Sequence, residues 1–371
     1  MSLLPDTDRV LLGPGPSLTH PRVMRAMAAP TLSHLDPLML ALLDDIRHRL
    51  QRVFRASDDS FAFAVSGTGT AGMETTVANL VEPGKNVLVV VSGYFGDRLA
   101  QMFQRYGATV TRLDVEWGRA CDPDAVRGAL QAQPFDIVAV VHAETSTGVL
   151  NPVREIATLA RAHAALVVVD AVTSLGGHPL EIDAWNIDAS YSCTQKCLGA
   201  PSGLSPVVFG PRALARRVTC RSFYFDLQLL QDYWLNRKYH HTMSSTLVYA
   251  FDEALAIVEE EGLESRWARH ERNHQALAAQ LPSLGLSLLP PEGERLWTLN
   301  AIRVPDGIDE AAVRRFLLEQ YSIEIGAGLG PLAGRIWRVG LMGASSTSRA
   351  IALLTAALDA AFVQQGRAAH A

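Results

Sequence analysis

Ala165-Leu166-Val167-Val168-Val169-Asp170 is a continuous apolar run closed by a carboxylate, and 26 residues later Lys196 stands in Ser192-Cys193-Thr194-Gln195-Lys196-Cys197-Leu198. The run reads as a buried strand, and a carboxylate at its edge is costly unless it meets a cationic partner. A protonated pyridine nitrogen is such a partner. Pyridoxal phosphate needs that carboxylate and also a lysine amine to form a Schiff base with its aldehyde, so Asp170 and Lys196 together point to this cofactor.

Around this pair, strand and helix patterns alternate from about Phe61 to Phe209, the order of an α/β domain with a largely parallel sheet. Short apolar runs at 61–65, 86–91, 109–113, 136–141, 166–169, 189–192 and 206–209 predict seven strands of one large sheet. Asp122-Pro123 opens a helix with a capping residue and a first-turn proline, and Glu82-Pro83-Gly84 stops another. From Ser244 to about Leu281 the pattern is two long amphipathic helices joined at Glu261-Gly262-Leu263. Strands near 286–289, 298–304, 323–325 and 336–339, with helices over 309–320 and 346–363, then describe a smaller α+β unit. The expected division is an amino-terminal arm over 1–21, a large domain over 22–258 and a small carboxyl-terminal domain over 259–371.

With 371 residues, 48% of them hydrophobic and 19% charged, the chain is globular and not disordered. A net charge of -5 gives no basic stripe for nucleic acid and turns attention to small metabolites. Cysteines 121, 193, 197 and 220 have neither disulfide-framework nor zinc spacing, which fits a reducing compartment. No apolar stretch reaches transmembrane length, and Met1-Ser2-Leu3-Leu4-Pro5-Asp6 lacks a basic region followed by an apolar run. A cytoplasmic protein with no membrane association is expected.

A phosphate site should sit where a glycine-rich turn opens a helix. Ser66-Gly67-Thr68-Gly69-Thr70-Ala71-Gly72-Met73-Glu74 follows a strand and precedes an apolar helix, so free backbone donors and the helix dipole favour a phosphate there. Gly67, Gly69 and Gly72 also spell the G-x-G-x-x-G of dinucleotide-binding folds. That fingerprint expects an acid at the end of the next strand, whereas 86–91 runs into Ser92-Gly93-Tyr94. An NAD-dependent dehydrogenase stands only as a distant alternative.

Further motifs follow in order: Gly13-Pro14-Gly15-Pro16, Gly93-Tyr94-Phe95-Gly96, His142-Ala143-Glu144-Thr145-Ser146-Thr147-Gly148, Val169-Asp170-Ala171-Val172, Thr194-Gln195-Lys196, Tyr239-His240-His241-Thr242 and Arg338-Val339-Gly340. With Ser66 to Glu74 they make nearly the whole chain resemble the class V aminotransferases of fold type I, in particular the alanine–glyoxylate and serine–pyruvate aminotransferases. The resemblance implies a homodimeric transaminase with shared active sites. Lys196 would hold pyridoxal phosphate and then act as the base that moves the substrate α-proton, with Asp170 on the ring nitrogen. Phe95 would stack on the ring, where relatives commonly use tryptophan, and Thr145 would bond the ring hydroxyl. Thr68, Gly69, Thr70 and Gln195 would hold the phosphate, joined by Tyr239 and Thr242 of the neighbouring subunit.

Arg338 would take the substrate carboxylate through its planar fork. Strand alternation alone leaves Arg338 equally able to face solvent, and the resemblance tips the balance inward. Gly15 would lie across the site and restrict side-chain size, as suits L-alanine donating to glyoxylate to give pyruvate and glycine. Serine–pyruvate, serine–glyoxylate and (S)-ureidoglycine–glyoxylate transaminases share the scaffold. The ureidoglycine enzymes resemble this chain around 226–234 but offer amides where His34 and Tyr239 stand, so His34 is either an interface residue or a substrate donor. His240-His241 reads as structural, and no metal is expected.

Overall fold

A computed structural model describes residues 8–366, so the first seven residues of the expected arm, with the Met1 to Asp6 reading, lie outside the described residues. The seven expected strands are present: β1 (Phe61–Ser66), β2 (Asn86–Val91), β3 (Thr109–Asp114), β4 (Ile137–Val141), β5 (Leu166–Asp170), β6 (Ala189–Tyr191) and β7 (Leu204–Phe209). They form one sheet in the order β1-β7-β6-β5-β4-β2-β3. Only β7 runs antiparallel to its neighbours. The chain thus has the mostly parallel seven-stranded sheet of the fold type I expectation.

Valine dominates β2, β4 and β5, and these strands are buried almost throughout because crossover helices cover both faces of a parallel sheet. β3 closes one edge with Thr109, Thr111, Arg112 and Asp114, the polar composition that discourages further strand pairing. Since β1 is antiparallel to β7 and β7 to β6, β1 points the same way as the parallel strands. The carboxyl ends of β1, β2, β4, β5 and β6 therefore gather along one edge. The chain order reverses between β2 and β4, and in such sheets ligands bind outside the strand ends at that reversal.

A smaller antiparallel sheet is built from β8 (Leu299–Arg303), β9 (Gly326–Ala327) and β10 (Ile336–Gly340), with β10 in the middle. Helices Glu310–Tyr321 and Ser348–Gln364 cover it. The buried apolar side chains divide accordingly. One cluster runs from Val23 to Val258, and a second joins Leu12 to residues from Leu277 to Phe362. The strand expected at 286–289 is absent, and Leu288 makes only an isolated bridge to Ile302. Pro290 and Pro291 follow at once, and proline has no N–H to extend a ladder.

The described part of the arm is tied to the small sheet. Val10–Leu11 pairs in parallel with Ile323–Glu324, and Gly340 N donates to Leu12 O at 2.8 Å. Gly340 must be glycine, since a Cβ there would lie 2.1 Å from Gly13 O. No helix among the described residues is long and apolar enough to cross a membrane.

Candidate active site

Asp170 ends β5 with only 2% of its surface exposed. Its carboxylate accepts a hydrogen bond from Val172 N at 2.9 Å. Desolvation pushes its pKa up to about 7, against the lowering effects of Val172, neighbouring Tyr191 and the Lys196 charge. Lys196 lies in the loop after β6, where its Nζ donates to the carbonyl of Pro14. Burial lowers its pKa, and the positive charge of Arg338 lowers it further.

The arm covers this lysine closely. Ser17 N donates to Gln195 O at 2.8 Å and Ser17 Oγ to Lys196 O at 2.7 Å. A Cβ on Gly15, whose φ is +108°, would stand 2.6 Å from Lys196 Cδ. Glycine is the residue that accepts both this left-handed backbone and the close approach.

The Thr68–Gly69–Thr70 turn opens helix Gly69–Leu80, as the glycine pattern predicted. Thr68 is the N-cap residue but makes no side-chain cap bond, which leaves its hydroxyl for a ligand. Gly69 packs so closely that a Cβ would lie 2.9 Å from Val172 Cγ2, just beyond Asp170. Gln195 carries a buried amide oxygen without a protein partner. Arg98 Nη1 donates to Thr70 Oγ1 at 3.1 Å.

Phe95 sits in the first turn of helix Tyr94–Arg105, just after β2. Buried Glu144, after β4, caps that helix from outside by accepting from Gly96 N at 3.1 Å and Phe95 N at 3.4 Å. It also accepts from Ser146 N and from Ser146 Oγ, the latter at 2.6 Å. Thr145 is buried, and its hydroxyl shares a hydrogen bond with that of Thr173.

Arg338, in β10, faces inward with 8% of its surface exposed. Its Nε donates to Ala327 O at 2.7 Å and Nη1 reaches Thr145 O at 3.4 Å. Burial holds its pKa down to about 10 despite the field of Glu144. Arg338 forms no salt bridge among the described residues. A buried guanidinium without a carboxylate partner has N–H donors suited to an anionic group.

Sequence reasoning left Glu144, Thr173 and Tyr191 without a role. Glu144 lay inside a motif already recognised, but Tyr191 becomes the neighbour of Asp170 only through the register of β5 against β6.

The segment after Asn236 is arranged differently. Tyr239 is 62% exposed and Thr242 is also exposed, whereas His240 and His241 between them are buried. The two imidazoles bond each other through Nδ1 at 2.7 Å, with His240 Nε2 at Phe223 O and His241 Nε2 at Ser66 Oγ. They fasten the segment beside the phosphate turn and leave Tyr239 and Thr242 pointing outward. Half-buried His34 has its ring 5.1 Å from that of Tyr239.

The donors at Thr68 to Thr70, the unpartnered amide oxygen of Gln195, the buried carboxyl of Asp170 without a salt-bridge partner among the described residues and the sheltered Lys196 amine fit pyridoxal phosphate. Residues 10–342 match the family model Aminotransferase class-V. The chain is 37% identical to the (S)-ureidoglycine–glyoxylate transaminase of Bacillus subtilis, over 96% of this chain and 91% of that one. It is 36% identical to the alanine–glyoxylate aminotransferase of Drosophila melanogaster, over 95% and 92%. Among solved structures, the alanine–glyoxylate aminotransferase of Nostoc sp. superposes with a TM-score of 0.95 at 45% identity, covering 98% of this chain and 97% of that one. A site at the carboxyl edge of a mostly parallel sheet, carried by motifs along nearly the whole sequence, places this chain in the class-V aminotransferase family, to which it belongs.

Proposed function

We propose that the chain is a homodimeric, pyridoxal-phosphate-dependent transaminase that moves the amino group of L-alanine to glyoxylate, giving pyruvate and glycine. The observation that carries this reading is the convergence of buried Asp170, sheltered Lys196 and unpaired Arg338 on one site. When bound, the cofactor supplies an electron sink that makes the substrate α-proton removable.

Arg338 binds the substrate carboxylate through two parallel hydrogen bonds and so orients the α-carbon. Lys196, biased toward its neutral form by burial, is the base that would take the substrate α-proton. Asp170 would find a cationic partner in the protonated ring nitrogen, and Thr68, Gly69, Thr70 and Gln195 would hold the phosphate. The arm at Pro14 to Ser17 excludes water and large side chains, which favours alanine and glyoxylate. Tyr239 and Thr242 complete the site of a second copy, consistent with their exposure. Four free cysteines suit a cytoplasmic location.

The 37% identity to a ureidoglycine transaminase supports a second reading in which the same machinery accepts ureidoglycine. Tyr239, where an amide is expected for a ureido group, favours alanine, whereas His34 matches neither pattern. The test is the visible spectrum of the protein supplied with pyridoxal phosphate. L-alanine should bleach the band of the lysine-bound cofactor, glyoxylate should restore it, and Lys196→Ala should lack it. Bleaching by ureidoglycine or L-serine but not alanine would change the substrate. No lysine-dependent band would overturn the cofactor assignment.

A further inference from the structure

The proposed phosphate ligands, Thr68, Gly69, Thr70 and Gln195, are all neutral, although the phosphate they would hold carries close to two negative charges. Beside them stands a cation with no role in the reading above. Arg98 lies one turn beyond Phe95, donates from Nη1 to Thr70 Oγ1 at 3.1 Å, and rests over two rings, 5.1 Å from the centre of Phe95 and 5.3 Å from that of Tyr94. It forms no salt bridge among the described residues. The adjacent carboxylate, Asp97, is taken up by Arg112 and Gln101, each at 2.6 Å.

We propose that Arg98 is a positioning residue for the phosphate end of the cofactor, acting through the Thr70 hydroxyl and through its own uncompensated charge. A threonine hydroxyl offers one proton and two lone pairs, whereas a guanidinium offers only protons. Arg98 must therefore occupy a lone pair of Thr70, which leaves the threonine proton free to point into the phosphate turn. The same guanidinium holds the face of Phe95 through cation–π attraction, so one side chain links the phosphate turn to the ring-stacking residue. An unpaired cation near a doubly charged ligand also strengthens its capture, an effect that salt weakens.

The inference rests on the proposed use of pyridoxal phosphate, and its test separates the two. Cofactor-free protein is titrated with pyridoxal phosphate and with pyridoxal, which has the same ring and aldehyde but no phosphate. Arg98→Gln should weaken pyridoxal phosphate about tenfold more than it weakens pyridoxal, the scale of one charge-assisted hydrogen bond. Arg98→Lys should recover part of the loss, and the salt dependence of phosphate-ester binding should flatten in Arg98→Gln alone. In a Thr70→Ala background the effect of Arg98→Gln should shrink. Equal weakening of both ligands would overturn the proposal, since a role confined to seating Phe95 predicts that result. An unchanged affinity for pyridoxal phosphate would also overturn it while leaving the cofactor assignment intact. Failure of the unmutated protein to bind either ligand would remove both.

Discussion

The chemistry of Asp170 comes from burial acting on an ordinary carboxyl group. Its pKa of about 7, against 3.8 for the free side chain, means that the cofactor-free folded state holds a proton that the unfolded chain has released. Stability therefore falls as pH rises from about 4 to about 7, and the full penalty, on the order of 4 kcal/mol, is present above that window. Buried His142 and His241, both held down to about 4, have the opposite slope over part of the same range, so the contribution of Asp170 shows only as a difference. Asp170→Asn should gain stability relative to the unmutated protein as pH rises through this window, with cofactor absent from both. Urea unfolding at several pH values measures it, and parallel curves would refute the assignment of burial as the cause.

Helix Tyr94–Arg105 delivers Phe95, yet it has no capping side chain of its own, because Gly93 occupies the N-cap. The cap comes from Glu144, about fifty residues along the chain. Gly93 makes room for it, since a Cβ there would stand 2.6 Å from Glu144 Cδ. A carboxylate at a helix N-terminus is favoured by the free N–H groups and the helix dipole, which explains how a buried acid is tolerated here. Glu144→Ala would orphan the buried donors of Gly96 and Ser146 and should destabilise the fold by roughly 2–4 kcal/mol. Glu144→Gln, which keeps an acceptor oxygen, should lose less. Denaturant midpoints of the two variants decide it, and equal losses would show that the cavity rather than the cap matters.

The molecule as a whole leaves an apolar surface near the Tyr239 segment. Phe223 is 73% exposed and Leu38 66%, with Leu35, Leu235 and Tyr239 also open. A two-fold partner covering this face would bring Tyr239 and Thr242 to the neighbouring phosphate turn, and a shared site makes a sharp prediction. Lys196→Ala and Tyr239→Ala proteins, each inactive or weak at limiting cofactor, should recover about a quarter of normal activity when unfolded together and reassembled. Random mixing makes half the dimers mixed, and each mixed dimer has one intact site. No recovery would place Tyr239 in the same subunit's site. Much of this architecture was legible in the chain itself. Apolar runs located the seven strands because burial on both faces demands them, and residue type and spacing marked the glycine turn, Asp170 and Lys196 as candidates. Other features became determinate only in three dimensions. Parallel neighbours are separated by whole crossovers, so no local pattern specifies the strand order or sets Tyr191 beside Asp170. A two-residue alternation leaves both faces of a strand open, and packing of Trp337 and Val339 into the second apolar cluster set the face on which Arg338 is buried. The cap from Glu144 and the closure of the arm over Lys196 are contacts between distant segments, which exist only once the chain has folded.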